Sequence, residues 1–233
     1  MATLRRDAPA NDRPRPVRIR PESPRELRAD HAVHLLGLAL GLVGCGALLA
    51  LTPPGSGTPM QAALAVYGVG LMAMLVASTL YNRCPPGPRR AFLRRVDHAA
   101  IFVMIAGTYT PFTLLAIGGT LGHGLLVFVW LVALLGIALK LLALDHFDAF
   151  AIGAYLALGW VGVLAAGPLI DHLTTRALVL LVTGGVVYSV GVLVYRWRSL
   201  PFHRALWHLF VLVAAGCHYV AILTDLVLGA PAS

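Results

Sequence analysis

The amino-acid sequence predicts an all-α fold, a seven-helix transmembrane bundle. Three observations lead to this prediction: the composition of the chain, its long apolar runs and the distribution of its charges. Hydrophobic residues make up 58% of the 233 residues and charged residues only 12%, which is too apolar a balance for a soluble domain of this length. Seven apolar runs are long enough to cross the hydrocarbon core of a bilayer as helices. They lie at 33–52, 60–81, 98–118, 122–143, 149–168, 177–195 and 206–228.

The first 30 residues differ in composition from the runs that follow. They hold eight arginines and five prolines but no apolar stretch, so we expect residues 1–30 to be a disordered basic cytoplasmic tail and not a cleavable signal peptide. Residues 31–230 then form the seven-helix domain. The arginines of the tail are suited to contact anionic lipid headgroups. Nucleic-acid binding is not expected, because no aromatic residues alternate with the arginines and no DNA-binding pattern occurs.

The positions of Lys and Arg predict the orientation of the bundle. All of the 18 basic residues except Arg176 fall in the tail, near the end of run 4 (Lys140) or in the connections after runs 2 and 6. Cytoplasmic connections of membrane proteins carry the excess of positive charge. We therefore expect a multi-pass protein of the cell inner (plasma) membrane with its N-terminus in the cytoplasm and its C-terminus outside.

The individual runs carry local signals for packing and for breaks. Run 1 includes Gly37 and Gly41, one turn apart, which favour close helix packing. The connection TPPGSGTP between runs 1 and 2 is uncharged and rich in turn residues, as a short outer connection should be. In run 3, Pro111 removes a backbone hydrogen bond and predicts a kink. The connections before and after run 4 are short, so we expect the seven runs to form a compact bundle.

Polar residues converge at the predicted cytoplasmic ends of runs 2, 3 and 7. They are Ser78 and Asn82 in run 2, Asp97 and His98 at the start of run 3, and His203 and His208 around the start of run 7. The two residues of run 2 are four apart and share a helix face. A cluster of His and Asp can bind zinc, which takes imidazole nitrogen and carboxylate oxygen as ligands. The alternative is that each residue is interfacial and bonds to water and headgroups.

Several segments carry a family resemblance: STLYNR, VDHAAIFVMIAGTYTPFTLL and RALWHLFVLVAAGCHYVAIL. They are similar to the signature segments of the hemolysin III family, the bacterial branch of the progestin and adipoQ receptor superfamily. The segment ELRADHAVHLLGLALG resembles the family's first motif, with Asp30 where the family usually has Asn. His34 in this motif either reaches the polar cluster or marks a solvated helix start. The resemblance implies a seven-helix membrane protein with a cytoplasmic N-terminus.

The resemblance also implies an intramembrane zinc site near the cytoplasmic face. The implied ligands are a His at the end of run 2 and two His four apart at the start of run 7. A Ser in run 2 and an Asp at the start of run 3 complete the site, and Ser78, Asp97 and His208 match these positions. In related branches the site is associated with hydrolysis of lipid amides, which makes Ser78 and Asp97 the candidate catalytic residues. The family's name comes from a haemolytic activity attributed to a founding member.

This sequence departs from the implied ligand set at two of its three positions. Asn82 stands at the run 2 position, and Arg204 stands four before His208. An arginine cannot be a ligand because it has no available lone pair. His203 lies five residues before His208, about 140° away around a helix, so the two cannot share a face if both are helical.

Three arrangements of the cluster remain open on the sequence. In the first, the site is free of metal and Arg204 pairs with Asp97, so that a guanidinium replaces the charge of zinc. In the second, zinc is held by His208, Asp97 and either His203 or His98. In the third, the residues are a vestigial polar cluster.

Three functions follow from these arrangements. The chain is a zinc-dependent hydrolase of a membrane lipid amide, a non-enzymatic protein of membrane homeostasis or sensing, or a cytolytic protein as the family name suggests. A pore-forming toxin must hide its apolar surface before it inserts, whereas this chain has seven permanently apolar runs. The sequence therefore supports cytolysis least.

Overall fold

The computed structural model describes residues 22–142 and 147–229, and these residues form helices joined by short connections. The α-helices are α1 Pro24–Leu51, α2 Thr58–Arg83, α3 Pro88–Pro111, α4 Gly119–Leu141, α5 Phe147–Trp160, α6 Ala166–His172, α7 Thr175–Arg196 and α8 His203–Ala221. Two π-helical segments, Phe112–Ile117 and Ile222–Val227, continue α3 and α8, and a 3₁₀ segment, Val161–Ala165, joins α5 to α6.

The helices make seven segments that are long and apolar enough to cross a membrane. The fifth segment, Phe150–His172, combines most of α5 with α6, and the seventh, His203–Val227, combines α8 with its π-helical end. The described residues contain no β-strand. The predicted all-α bundle with seven spans is confirmed, whereas the side of the membrane on which each end lies remains a prediction.

Helix α1 begins earlier than the predicted boundary between residues 30 and 31. Ser23 caps the helix by accepting a hydrogen bond from the backbone of Glu26, whose carboxylate accepts from the Ser23 backbone in return. Pro24 occupies the first helical position, where its missing N–H is not needed. Residues 24–30 are therefore part of the first membrane helix, and residues 1–21 of the predicted tail lie outside the described residues.

Helix packing gathers α1, α2, α3 and α8 around one interior. Helix α2 packs mainly against α3, and α1 contacts both α2 and α8. The close approach of α2 and α3 depends on Gly70 and Gly107, where an added Cβ would lie 3.2 and 3.3 Å from a backbone carbonyl of the facing helix. The predicted close approach at Gly37 and Gly41 is made by a side chain, since Leu75 of α2 packs onto both glycines.

The fifth span is interrupted midway along its length, and a tyrosine of α3 bonds to the backbone at the break. The Tyr109 hydroxyl donates to the carbonyl of Gly159 at 2.8 Å and accepts from the backbone N–H of Gly162 at 2.7 Å. Non-helical backbone at membrane depth is tolerated only where protein groups satisfy it. At Pro111, where a kink was predicted, α3 passes into its π-helical segment.

Candidate functional site

Four helices place polar side chains at one end of the bundle. The polar site, as we call it, comprises Asp30 and His34 of α1, Ser78 and Asn82 of α2, Asp97 of α3, and Arg204 and His208 of α8. On α1, α2 and α8 the two residues are four apart, so that they lie on one face one turn from each other. The faces meet because α1 packs between α2 and α8.

Asp30, His34 and His208 form the innermost group of the polar site. One carboxylate oxygen of Asp30, Oδ1, lies 2.6 Å from Nδ1 of His208, and the other, Oδ2, lies 3.8 Å from Nδ1 of His34. The two imidazole rings are in contact, with centroids 4.2 Å apart. Each of the three residues offers one ligand atom, and these atoms lie within 4.8 Å of one another. This group could hold a metal ion.

The orientation of His34 follows from its hydrogen bonds. Its Nδ1 lies 2.8 Å from the backbone carbonyl of Asp30, to which a protonated Nδ1 donates. In the neutral ring Nε2 is then unprotonated, and it lies 3.3 Å from Nδ2 of Asn82 and 3.2 Å from Oγ of Ser78. A histidine held by a backbone carbonyl through one nitrogen is oriented to use the other as a ligand.

Arg204 reaches across the polar site to two carboxylates and one amide. Its Nη1 donates to Oε2 of Glu22 at 2.6 Å, and its Nη2 donates to Oδ1 of Asn82. The same Nη2 lies 3.7 Å from Oδ2 of Asp30. The two family ligand positions that lack histidine, Asn82 and Arg204, are therefore bonded directly to each other.

Asp97 lies beside this network and accepts a hydrogen bond from Ser78. In place of the pair of Arg204 with Asp97, which was one of the three arrangements left open on the sequence, Arg204 forms ion pairs with Glu22 and Asp30. The physical reason is that α1 begins at Pro24, which carries both acidic residues into reach of the α8 N-terminus. Ser78 and Asp97, the candidate catalytic residues, are in contact, and their catalytic role remains a prediction.

The structure brings only one of the predicted zinc ligands into the candidate metal group. His208 belongs to it, whereas Asp97 and His203 do not, and Asp30 and His34 take their place. His203 is the first residue of α8 and is helical, so the rotation of five residues directs it away from the face of His208. His98, the alternative ligand, also lies outside the group, and its carbonyl accepts from the Tyr155 hydroxyl.

Sequence reasoning did not assign Asp30 to the site, although it noted that Asp30 departs from the family motif. The available signal was the spacing of four between Asp30 and His34, which places a carboxylate and an imidazole on one helix face. Asp30 and His34 are both buried, with 3% and 6% of their surface exposed. A buried carboxylate on a membrane helix requires a partner, and His208 and Arg204 supply it.

The donor set of this group fits zinc. Two imidazoles and one carboxylate are ligands that zinc takes in catalytic sites, where three protein ligands leave one position open. The carboxylates of Glu22, Asp30 and Asp97 lie around the group together with the guanidinium of Arg204.

Comparisons with known proteins agree with these features. The profile of the haemolysin III-related family matches residues 28–219. A hemolysin-3 homolog of Bacillus subtilis (strain 168) is 40% identical over 158 residues, which cover 68% of this chain and 74% of that protein. Hemolysin-3 of Bacillus cereus is 37% identical over 161 residues, 69% of this chain and 74% of that protein.

A human relative extends the similarity beyond bacteria. The monocyte to macrophage differentiation factor of Homo sapiens is 31% identical over 165 residues, which cover 67% of each chain. The family match includes every residue of the polar site, and it spans all seven membrane segments except the first four residues of the first and the last residues of the seventh. The chain therefore belongs to the haemolysin III-related family and is a multi-pass membrane protein.

Proposed function

We propose that this protein is a zinc-dependent hydrolase of lipid amides that acts at the cytoplasmic leaflet of the plasma membrane. The observation that carries the proposal is the group formed by Asp30, His34 and His208, whose ligand atoms lie within 4.8 Å of one another. The implied activity of the family supports it, because Ser78 and Asp97 stand next to this group. Asp30 and His34 of α1 would replace the two ligands that α2 and α8 lack.

In this proposal Asp30, His34 and His208 hold the metal, and the neighbouring residues hold the reactants. Zinc, when bound, supplies Lewis-acid chemistry that makes water a nucleophile at neutral pH. Asp97 accepts a hydrogen bond from Ser78, which leaves the other carboxylate lone pairs of Asp97 available to orient a water molecule. The Asn82 amide donates to the Ser78 carbonyl at 2.9 Å, and its contact of 3.3 Å with Nε2 of His34 would give way to the metal, because that nitrogen has a single lone pair.

The zinc content of the detergent-purified full-length protein tests the proposal. We expect close to one zinc per chain in the unchanged protein, and loss of zinc in Asp30→Ala, His34→Ala and His208→Ala. Asp97→Ala and His203→Ala should keep zinc, because neither residue belongs to the group. His123→Ala is the matched control, since His123 is an exposed histidine of α4.

Hydrolysis of a ceramide-like amide lipid is then measured on the same variants. Asp97→Ala should retain zinc and lose about 100-fold or more in rate, as removal of a positioned general acid or base group does. If Asp97→Ala loses zinc as His208→Ala does, the ligand set predicted from the sequence replaces the one proposed here.

A second candidate function is a metal-free, non-enzymatic protein of membrane homeostasis or sensing. The observation that favours it is the contact of Arg204 with Asn82 and its proximity to Asp30, which put a permanent cation in the polar site. Folded protein without zinc would support this candidate and exclude the hydrolase.

A cytolytic function is suggested for this chain by the name of its Bacillus cereus relative, hemolysin-3. We propose that any lysis on overexpression is indirect, because seven permanently membrane-spanning segments leave no water-soluble form that could attack a cell. Purified protein added to dye-loaded liposomes should release no dye. Dye release in proportion to added protein would show a direct lytic activity.

Anionic lipids are the proposed partners of the basic surface near the polar site. Arg83, Arg89 and Arg94 are exposed at the adjoining ends of α2 and α3, and the arginines of the tail precede α1. Each arginine near an anionic surface contributes about 1 kcal/mol of attraction. The reconstituted protein should therefore enrich phosphatidylglycerol over phosphatidylcholine in its surrounding lipid, and less so in 0.5 M salt.

A further inference from the structure

Arg204 lies between two carboxylates that differ in their exposure. On one side Nη1 donates to Oε2 of Glu22 at 2.6 Å, and the side chains of Arg204 and Glu22 are 23% and 25% exposed. On the other side Nη2 lies 3.7 Å from Oδ2 of Asp30, whose side chain is 4% exposed. One arm of the guanidinium therefore faces the rim of the polar site, and the other faces its interior.

The two oxygens of the Asp30 carboxylate have different neighbours. Oδ1 is engaged at 2.6 Å by His208, whereas Oδ2 faces both Arg204 at 3.7 Å and His34 at 3.8 Å. A cation held by Asp30 draws on the same buried carboxylate that the guanidinium approaches. Two cations that share one buried carboxylate oppose each other's binding, because interactions between charges are weakly screened in the interior.

Glu22 offers the guanidinium an alternative partner outside the metal group. The bond from Arg204 to Glu22 is shorter than its distance to Asp30 by more than 1 Å. Glu22 precedes the Ser23 cap of α1, and the α1 start is tied to α8 by the bond from the Phe202 backbone N–H to the Glu26 carboxylate at 2.9 Å. The position of Glu22 beside Arg204 is thus built into the junction of the two helices.

We propose that Arg204 competes with the metal ion for Asp30, and that Glu22 holds the guanidinium at the rim so that the metal can bind. This inference rests on the proposed metal site and adds the residues that set its affinity. Metal binding leaves Arg204 with Glu22 and Asn82, and loss of metal lets Asp30 serve as a further partner of the guanidinium. Neither Arg204 nor Glu22 contributes a ligand.

A double-mutant cycle on zinc affinity tests the proposal. The affinity of full-length protein in detergent is measured by competition with a chromophoric chelator for the unchanged protein, Glu22→Gln, Arg204→Gln and the double variant. We expect Arg204→Gln to bind zinc about tenfold more tightly and Glu22→Gln about tenfold more weakly, a change typical of coupled charges in one network. In the double variant the loss of Glu22 should have no further effect, so that its affinity equals that of Arg204→Gln.

The cycle separates competition from a general change in the electric field. The electric field alone would also weaken zinc binding when Glu22 loses its negative charge and strengthen it when Arg204 loses its positive charge. In the double variant these two field effects would cancel, and zinc affinity would equal that of the unchanged protein. Additive effects would therefore overturn the proposal. Arg89→Gln is the control for field, since it removes an exposed arginine of the same end of the bundle and should leave zinc affinity unchanged within twofold.

Arg204→Lys gives a second and independent test that does not depend on Arg204→Gln folding. Lysine keeps the charge but lacks the planar guanidinium that bonds to Glu22 and Asn82 at once. We expect the lysine to pair with Glu22 at the rim, so that zinc affinity rises severalfold. A field effect alone predicts no change in zinc affinity, because the charge is kept. Thermal unfolding of each variant without zinc verifies that the fold is retained.

The outcomes distinguish this inference from the proposed function. If the unchanged protein binds zinc and Arg204→Gln binds it equally well, competition is overturned and the metal site stands. If only Arg204→Gln binds zinc, competition is supported and the unchanged protein is not a zinc enzyme. If neither binds zinc above the level of His208→Ala, the metal site itself is overturned, and the competition with it.

Discussion

Asp30 has three basic neighbours in the polar site and is the residue on which the geometry of that site depends most. It is buried, its Oδ1 pairs with His208, and its Oδ2 faces His34 and Arg204. An anion and a cation that lie 3.7 Å apart in one buried site offset each other's cost of desolvation, as Asp30 and Arg204 do here.

We predict that Asp30→Asn lowers the free energy of unfolding by about 2 kcal/mol, since hydrogen bonds to charged groups contribute about 1.5 to 3 kcal/mol and the amide retains part of the geometry. Denaturant titration of the metal-free protein in mild detergent measures the change. Asp171→Asn, at an exposed carboxylate of α6, is the control and should change stability by less than about 0.5 kcal/mol. Equal stability of the two variants would contradict the role of Asp30.

At the scale of the elements, the fifth span shows how a broken helix is accommodated inside a membrane bundle. Helix α5 ends at Trp160, the 3₁₀ segment Val161–Ala165 follows, and α6 resumes the crossing. Tyr109 of α3 bonds both a carbonyl and an N–H at this break, and Trp160 donates to the Ser189 hydroxyl of α7 at 3.1 Å. Side chains of neighbouring helices thus complete the hydrogen bonding that the span itself lacks.

We predict that Tyr109→Phe destabilises the protein by about 2 kcal/mol, because it leaves backbone groups of a membrane span without a partner. The matched control is Tyr67→Phe. Tyr67 is fully buried in α2, and its hydroxyl has no hydrogen-bond partner among the described residues. Its removal should leave stability unchanged or raise it. Thermal unfolding in detergent compares the two variants, and an equal loss in both would rule out a specific role for the Tyr109 hydroxyl.

For the whole molecule, the odd number of spans among the described residues predicts that Glu22 and Gly229 lie on opposite sides of a membrane. The polar site lies at the end where α1 begins, α2 ends, α3 begins and α8 begins. That end also carries most of the arginines, which is the basis for the prediction that it faces the cytoplasm. The orientation matters for function because it determines from which side water and soluble products exchange with the site.

We predict that Cys84, in the connection between α2 and α3, is accessible only from the cytoplasm. In a variant whose Cys45 and Cys217 are changed to Ala, a membrane-impermeant maleimide should label Cys84 only after the cells are permeabilised. Thr58→Cys, made in a chain that lacks the other three cysteines, places a thiol at the opposite end of α2 and should be labelled in intact cells. The reverse pattern would invert the orientation of the site.

The sequence by itself determined the number of spans, the family and the end of the bundle at which polar residues gather. These follow from local composition, since a run of about 20 apolar residues matches a bilayer whatever its neighbours are. The start of α1 was misjudged because Pro24 and the arginines after it suggested a tail, whereas the Ser23 and Glu26 capping box begins a helix there.

Only the tertiary structure decided which polar residues meet. The sequence placed Ser78 and Asp97 in one polar cluster, and the structure adds that the two are hydrogen-bonded. The ligand group and the partners of Arg204 depend on how deeply α1 sits between α2 and α8 and on the reach of a long guanidinium, and neither quantity is encoded in a local pattern. Contacts between Glu22 and Arg204, or between Asp30 and His208, join residues about 180 apart in the chain, so that only helix packing brings them together.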